Sequence, residues 1–225
     1  MANGYEQTYE RIVPRLQTCT FPAAAENLGF TLVSEDTLSI DFLGRTYTIT
    51  KAGVYPVDGR EVQVNILSVL VYYAISPGTG EPLYDFCLMH HFSQGLCTHK
   101  APEADWQTEP LRKEFGSSYR HFADTVTQLG LMYAGSRVPG EYTWHYRLLP
   151  KMPIKVIYYE GDAEFPCDIK IFYDKTAISF LNFEPLAVLK GCFIHRLVSL
   201  GKARRNLEVQ ETGASEPIPR TDTKD

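Results

Sequence analysis

One segment of the chain, residues 61–75, most constrains the fold. Apolar residues recur along it at the three- and four-residue spacing of an α-helix, and a Ser-Pro-Gly sequence at residues 76–78 ends the run. Val64, Leu67 and Val71 add apolar side chains to its other faces, so such a helix must be buried on most of its circumference. The sequence therefore predicts a central helix that other elements surround.

Segments with a two-residue apolar period predict the strands. Residues 38–42 and 46–50, separated by the turn Gly44-Arg45, have the pattern of a half-buried hairpin. Further strands are predicted at residues 83–92, 142–149, 154–159 and 169–173, and further helices at residues 5–16, 22–28, 111–131 with a break near Gly116, 174–181 and 185–200. The strands and helices do not alternate regularly, which predicts an α+β fold with a mainly antiparallel sheet and helices packed on it.

The length of 225 residues fits one domain. Gly201 is predicted to end the last helix, since glycine is common just beyond a helix C-terminus. The following sequence is polar, with Pro217 and Pro219 and few apolar residues. We therefore predict a single domain over residues 1–201 and a disordered polar tail over residues 202–225.

Composition and charge exclude several classes of protein. The net charge of −5 argues against a general nucleic-acid binder, which needs a basic face. The start has no signal-peptide layout, and the longest apolar run, residues 66–75, is about half of what crossing a bilayer requires. Five cysteines without a C-x-x-C pair argue against a disulfide framework. These features predict a cytoplasmic protein with reduced thiols and with neither a nucleic-acid nor a membrane partner.

An acidic loop at residues 160–168 connects two predicted strands. It carries four carboxylates in nine residues, a group that can bind a hard cation or place a raised-pKa acid beside an ionised one. Asp162 and Glu164 are the candidate catalytic residues of this loop. The alternative is a solvated acidic turn in which Phe165 fills the core.

A second candidate site has the pattern His90-His91-x5-Cys97-x-His99. Imidazole and thiolate are ligands for zinc, iron or copper, and one loop can bring three of them together. In a strand, however, His90 and His91 would point to opposite faces. The alternative is a pair of surface histidines beside an ordinary thiol.

Aromatic residues form a third candidate. Tyr142, Trp144 and Tyr146 alternate along one predicted strand, and Tyr158 lies on the next. Trp144, Tyr146 and Tyr158 could stack against a planar ligand. The alternative is a sheet face packed beneath a helix.

The C-terminal third resembles a family of prokaryotic proteins, the domain of unknown function numbered 3786. The resemblance covers residues 140–198 and rests on a Gly-Asp-x-Glu-Phe-Pro loop at residues 161–166, followed by a strand that ends in Tyr173-Asp174. The expected size of that domain covers most of the chain. The resemblance implies a setting in anaerobic metabolism but no reaction. Some members carry a four-cysteine iron–sulfur segment, which this sequence lacks.

Three hypotheses follow. The first is an accessory or ligand-binding domain of anaerobic metabolism, whose partner is an unidentified small molecule or metal. The second is an enzyme that uses Asp162 and Glu164, with or without a metal. The third is a metal carrier that binds through the loop from His90 to His99. A cleft that contains both Asp162 and Glu164, with raised carboxylate pKa values, would favour the enzyme.

Overall fold

The computed structural model describes residues 4–93 and 106–213. Over these ranges the chain forms seven α-helices and two antiparallel sheets, which confirms the predicted α+β class. The helices are α1 Gly4–Ile12, α2 Phe21–Leu28, α3 Val64–Ala74, α4 Glu109–Phe115, α5 Tyr119–Leu129, α6 Ala177–Phe180 and α7 Phe183–Gly213. The strands are β1 Thr31–Ser34, β2 Thr37–Phe42, β3 Arg45–Thr50, β4 Gly53–Pro56, β5 Phe86–Leu88, β6 Met132–Gly135, β7 Glu141–Leu149, β8 Met152–Tyr159 and β9 Asp168–Asp174.

The first sheet is a four-stranded meander in the order β1-β2-β3-β4. The predicted hairpin is its centre, with Ile40 opposite Tyr47 and Leu38 opposite Ile49, and all four side chains are buried. The flanking strands β1 and β4 are short, and the sequence analysis did not predict them. Each has only four residues, too few to display a clear two-residue period.

Helix α3 confirms the predicted central helix. It contacts α1, α2, β4 and α7, and Leu70 on it has no exposed surface. Tyr73 at its C-terminal end is also fully buried, and its hydroxyl donates to the carbonyl of Leu28 at 2.6 Å. The same hydroxyl accepts from the backbone N–H of Lys151 at 3.2 Å. The helix thus joins the N-terminal elements to the β7–β8 turn.

The second sheet has the order β5-β9-β8-β7-β6. Trp144, Val156 and Ile171 lie opposite one another on its inner face and are buried. Helices α4, α5 and α7 pack on that face, as the ring of Phe122 in α5 against Trp144 illustrates. This second sheet positions the acidic loop, since the loop joins β8 to β9.

The predicted end of the last helix at Gly201 is wrong, because α7 continues to Gly213. A Cβ atom on Gly201 would lie 2.7 Å from the ring of Phe115, so the glycine permits close packing against α4 rather than ending the helix. Arg204 and Arg205 on the extension form ion pairs with Asp124 of α5 and Glu114 of α4. Residues 202–213 of the predicted tail are therefore helical, and residues 214–225 lie outside the described part of the chain.

The strand predicted at residues 83–92 is shorter than expected. Only β5 is extended, and Met89–Phe92 form a 3-10 helix. Among the described helices, none is both long enough and apolar enough to cross a membrane.

Candidate functional site

A cleft of about 720 Å³ lies between the acidic loop and the junction of α4 with α5. Three segments line it: the loop and the end of β8, helix α4 from Glu109 to Lys113, and the short link into α5. The lining includes Glu109, Arg112, Lys113, Ser118, Tyr119, Tyr158, Glu160, Asp162, Phe165 and Cys167.

The acidic loop is held by its own hydrogen bonds. The carboxylate of Asp162 accepts from the backbone N–H groups of Glu164 and Phe165, both at 2.8 Å, and the N–H of Asp162 donates to the carbonyl of Phe165 at 2.8 Å. A Cβ atom on Gly161 would lie 2.6 Å from the backbone nitrogen of Cys167. The loop is therefore a tight turn that requires glycine at position 161 and an acceptor at position 162.

These hydrogen bonds from backbone N–H groups determine the ionisation of Asp162. The hydrogen bonds from Phe165 and then Glu164 favour its charged form and lower its pKa below the ordinary value. This is the opposite of the raised pKa that an acid catalyst in this loop would need. Glu164 is exposed, and the residues that line the cleft do not include it. Asp162 and Glu164 are thus close in the chain, but only Asp162 faces the cleft.

The position of Phe165 contradicts the alternative in which it fills the core. Its side chain is 67% exposed at the cleft, whereas Cys167, two residues later, is buried. The thiol of Cys167 lies beside the hydroxyl of Tyr158, and burial raises the pKa of that thiol. The chain therefore enters the core at Cys167 and leaves the aromatic ring of Phe165 outside.

The opposite wall begins at α5. The hydroxyl of Ser118 caps this helix by accepting from the N–H of His121 at 3.2 Å. The next residue, Tyr119, stacks on Tyr142 with ring centroids 3.8 Å apart. The hydroxyl of Tyr142 in turn donates to the carboxylate of Glu160 at 3.2 Å, which links this wall to the loop.

The cations of the cleft lie on α4, and carboxylates hold both of them. Arg112 pairs with Glu109 at 2.7 Å and with Asp168 at 3.2 Å, and Lys113 approaches Glu109 at 3.7 Å. The hydrogen bond from Arg112 lowers the pKa of Glu109. Both cations of the α4 wall therefore already lie beside carboxylates.

The three aromatic candidates do not form one platform. Trp144 and Tyr158 are each only 1% exposed, and both pack against Phe122 of α5, with ring centroids 5.2 and 5.0 Å away. Only Tyr158 also reaches the cleft. Tyr146 stacks on Phe193 of α7 instead and lines a separate cleft of about 610 Å³ beside the β2–β3 turn. The arrangement of Trp144 and Tyr158 is that of a sheet face packed beneath a helix.

The histidine candidates are described in part. His90 and His91 lie in the 3-10 helix, both exposed, with ring centroids 4.7 Å apart, so they do not point to opposite faces of a strand. Cys97 and His99 lie outside the described residues. Within residues 4–93 and 106–213, no three or more His, Cys, Asp or Glu side chains are placed to hold a metal ion.

Sequence reasoning missed the α4–α5 wall. Arg112, Ser118 and Tyr119 are far from the acidic loop in the chain, and no motif marks them. The predicted break near Gly116 was the available signal, because a break between two helices exposes a helix N-terminus, a frequent location for binding residues.

A family model described as "Domain of unknown function (DUF3786)" matches residues 20–196, which is most of the chain. The match extends the C-terminal resemblance through both sheets and the acidic loop. No curated protein and no solved structure matches the chain.

Proposed function

We propose that this chain, which belongs to the DUF3786 family, is a ligand-binding protein without catalytic activity, and that its site is the cleft between the acidic loop and the α4–α5 junction. The ligand is a small organic molecule with an apolar or planar part. The cytoplasmic location and the setting in anaerobic metabolism belong to the same proposal. The first follows from the composition and the second from the family resemblance.

The exposed ring of Phe165 carries the proposal. Burying a phenylalanine side chain stabilises a protein by about 1.5–3 kcal/mol. Because Phe165 is mostly exposed, its ring does not provide most of this stabilisation. The turn around Asp162 has little freedom to bring the ring inward, since it is fixed by two hydrogen bonds to the Asp162 carboxylate, one backbone hydrogen bond and a close contact at Gly161. An aromatic ring held outward over a cleft with a few polar groups is typical of a ligand site.

The geometry favours binding over catalysis. The carboxylate of Asp162 is engaged by two amides, and its pKa is lowered, so it is a poor proton donor at neutral pH. Glu164 does not line the cleft. Both observations support binding over an enzyme in which Asp162 and Glu164 together donate and accept protons.

The test compares the molecules that copurify with the wild type and with Phe165→Ala. Both proteins are purified without oxygen and then denatured, and the released small molecules and metals are identified by mass spectrometry. Leu83→Ala is the matched control, since Leu83 is 69% exposed, similar to Phe165, and is not among the residues that line the cleft.

The proposal predicts a compound that is retained by the wild type and by Leu83→Ala but lost from Phe165→Ala, with unchanged circular dichroism in all three. Equal content in all three proteins would remove the cleft as the binding site. A wild type that turns over the retained compound would show that the site is catalytic.

A further inference from the structure

We infer that the ligand of this cleft is an organic cation, with an ammonium or guanidinium group attached to an apolar or aromatic body. The inference rests on the proposed function and adds the charge of the ligand. It follows from the charges that the protein leaves unbalanced in the cleft, taken together with the aromatic rings at the same place.

The basic side chains of the cleft already have partners. Arg112 is held between Glu109 and Asp168, and Lys113 lies within 3.7 Å of Glu109. Lys170 also approaches Asp168, at 3.6 Å, so three cations share two carboxylates and leave one positive charge, fewer than the two carboxylates of Glu160 and Asp162 can balance.

The loop carboxylates are balanced differently. Glu160 accepts from the neutral hydroxyl of Tyr142, and Asp162 accepts from two neutral amides. In the part of the chain that the structure describes, neither carboxylate has an ion-pair partner. Neutral donors do not cancel the formal charge of a carboxylate, so the cleft has a net negative formal charge.

Aromatic rings adjoin these two carboxylates. Phe165 is mostly exposed beside Asp162, and the half-buried Tyr119 lines the opposite wall. The face of an aromatic ring attracts a cation, and it does so more strongly when the cation is shielded from water. Carboxylates that set the charge and rings that cover the remaining surface together select an organic cation rather than a hydrated metal ion.

The test uses three probes of similar shape and different charge: phenethylammonium, its neutral N-acetyl derivative and the anion 3-phenylpropanoate. Affinities are measured by titration calorimetry, and the binding location by the chemical shifts of residues 158–167. We expect the cation to bind about tenfold more tightly than the neutral probe. The preference should shrink as salt is raised, because ions screen exposed charges beyond about 10 Å at 0.1 M.

The double variant Glu160→Gln and Asp162→Asn removes both charges and retains an acceptor oxygen at each position. It should remove the preference for the cation and leave the affinity of the neutral probe unchanged. The control variant, Glu10→Gln with Glu26→Gln, changes the net charge by the same amount at two exposed positions far from the loop in the sequence. This control variant should still bind the cation more tightly than the neutral probe.

Several outcomes would overturn the inference. These are tighter binding of the anion, equal binding of cation and neutral probe, no binding of the cation at millimolar concentration, or an equal loss in the control variant. If the neutral probe still binds at residues 158–167 and Phe165→Ala weakens it, the ligand-binding proposal survives and only the charge of the ligand is wrong. If Phe165→Ala changes the binding of no probe and of no copurifying compound, the binding site itself is wrong.

Discussion

Two aromatic regions of this molecule, both within residues 144–165, have opposite environments. Trp144 and Tyr158 lie on the inner face of the second sheet and are 1% exposed, whereas Phe165, just beyond the end of β8, is 67% exposed. In the strands, the pleat directs alternate side chains onto the helices. In the loop, the backbone follows the turn set by Gly161 and Asp162. An aromatic residue is therefore buried here by its place in the sheet and not by its apolar character alone.

The buried region should dominate stability. Trp144 packs edge-on against Phe122 at 5.2 Å and against Tyr133 at 5.5 Å, so its removal leaves a large cavity. We expect Trp144→Ala to lower the free energy of unfolding by about 3–5 kcal/mol. Chemical denaturation measures this, and a loss below about 1 kcal/mol would mean that the inner face is not the packed core.

The next largest effect concerns the α7 extension, which packs against Phe115 in the same buried region. Alanine normally stabilises a helix relative to glycine by about 1 kcal/mol. A Cβ atom at position 201 would nevertheless lie 2.7 Å from the ring of Phe115, so we expect Gly201→Ala to lower the free energy of unfolding by about 1–3 kcal/mol.

Gly191 supplies the control for this prediction, since it lies in the same helix and a Cβ atom there would have no neighbour within 4 Å. Gly191→Ala should be neutral or stabilising by thermal and chemical denaturation. If both variants behave alike, the extension does not pack closely on α4.

The exposed region should contribute little to stability. Phe165→Ala removes a ring that is mostly in water, so the free energy of unfolding should change by less than about 0.5 kcal/mol. The same denaturation experiment as for Trp144→Ala gives the direct comparison. A loss as large as that of Trp144→Ala would place Phe165 in the core and would remove the basis of the proposed site.

The smallest effect is a pH dependence at Asp162. Its pKa is lower in the folded protein than in the unfolded chain, where the value is about 3.9. The charged form therefore stabilises the fold above about pH 4, and this contribution disappears as the pH falls through the folded pKa.

Comparison with Asp162→Asn isolates the stabilisation that comes from the charge of Asp162. Asparagine can accept the same hydrogen bonds from backbone amides but does not titrate between pH 3 and pH 7. The stability of the wild type relative to the variant should decrease as the pH is lowered below about 4. A difference that is constant from pH 7 to pH 3 would show that the carboxylate does not accept these bonds in solution.

Local patterns in the sequence predicted much of the framework. The apolar residues around Leu70 predicted α3, the alternation on either side of Gly44 predicted the β2–β3 hairpin, and Gly116 marked the break between α4 and α5. Each of these features depends on neighbours within one or two turns or along one strand. Periodicity reports such short-range order directly.

Only the tertiary structure decided the site. Gly201 looked like a helix end because the sequence does not reveal that Phe115, far away in the chain, packs against it. The same limit applies to Phe165, which the sequence placed only in the core, because the hydrogen bonds of Asp162 and the position of Tyr119 are not visible in it. The sequence by itself determined the central helix and the longer strands, since these display a clear local period. Which side chains meet across the fold depends on contacts between distant segments, and no local pattern records them.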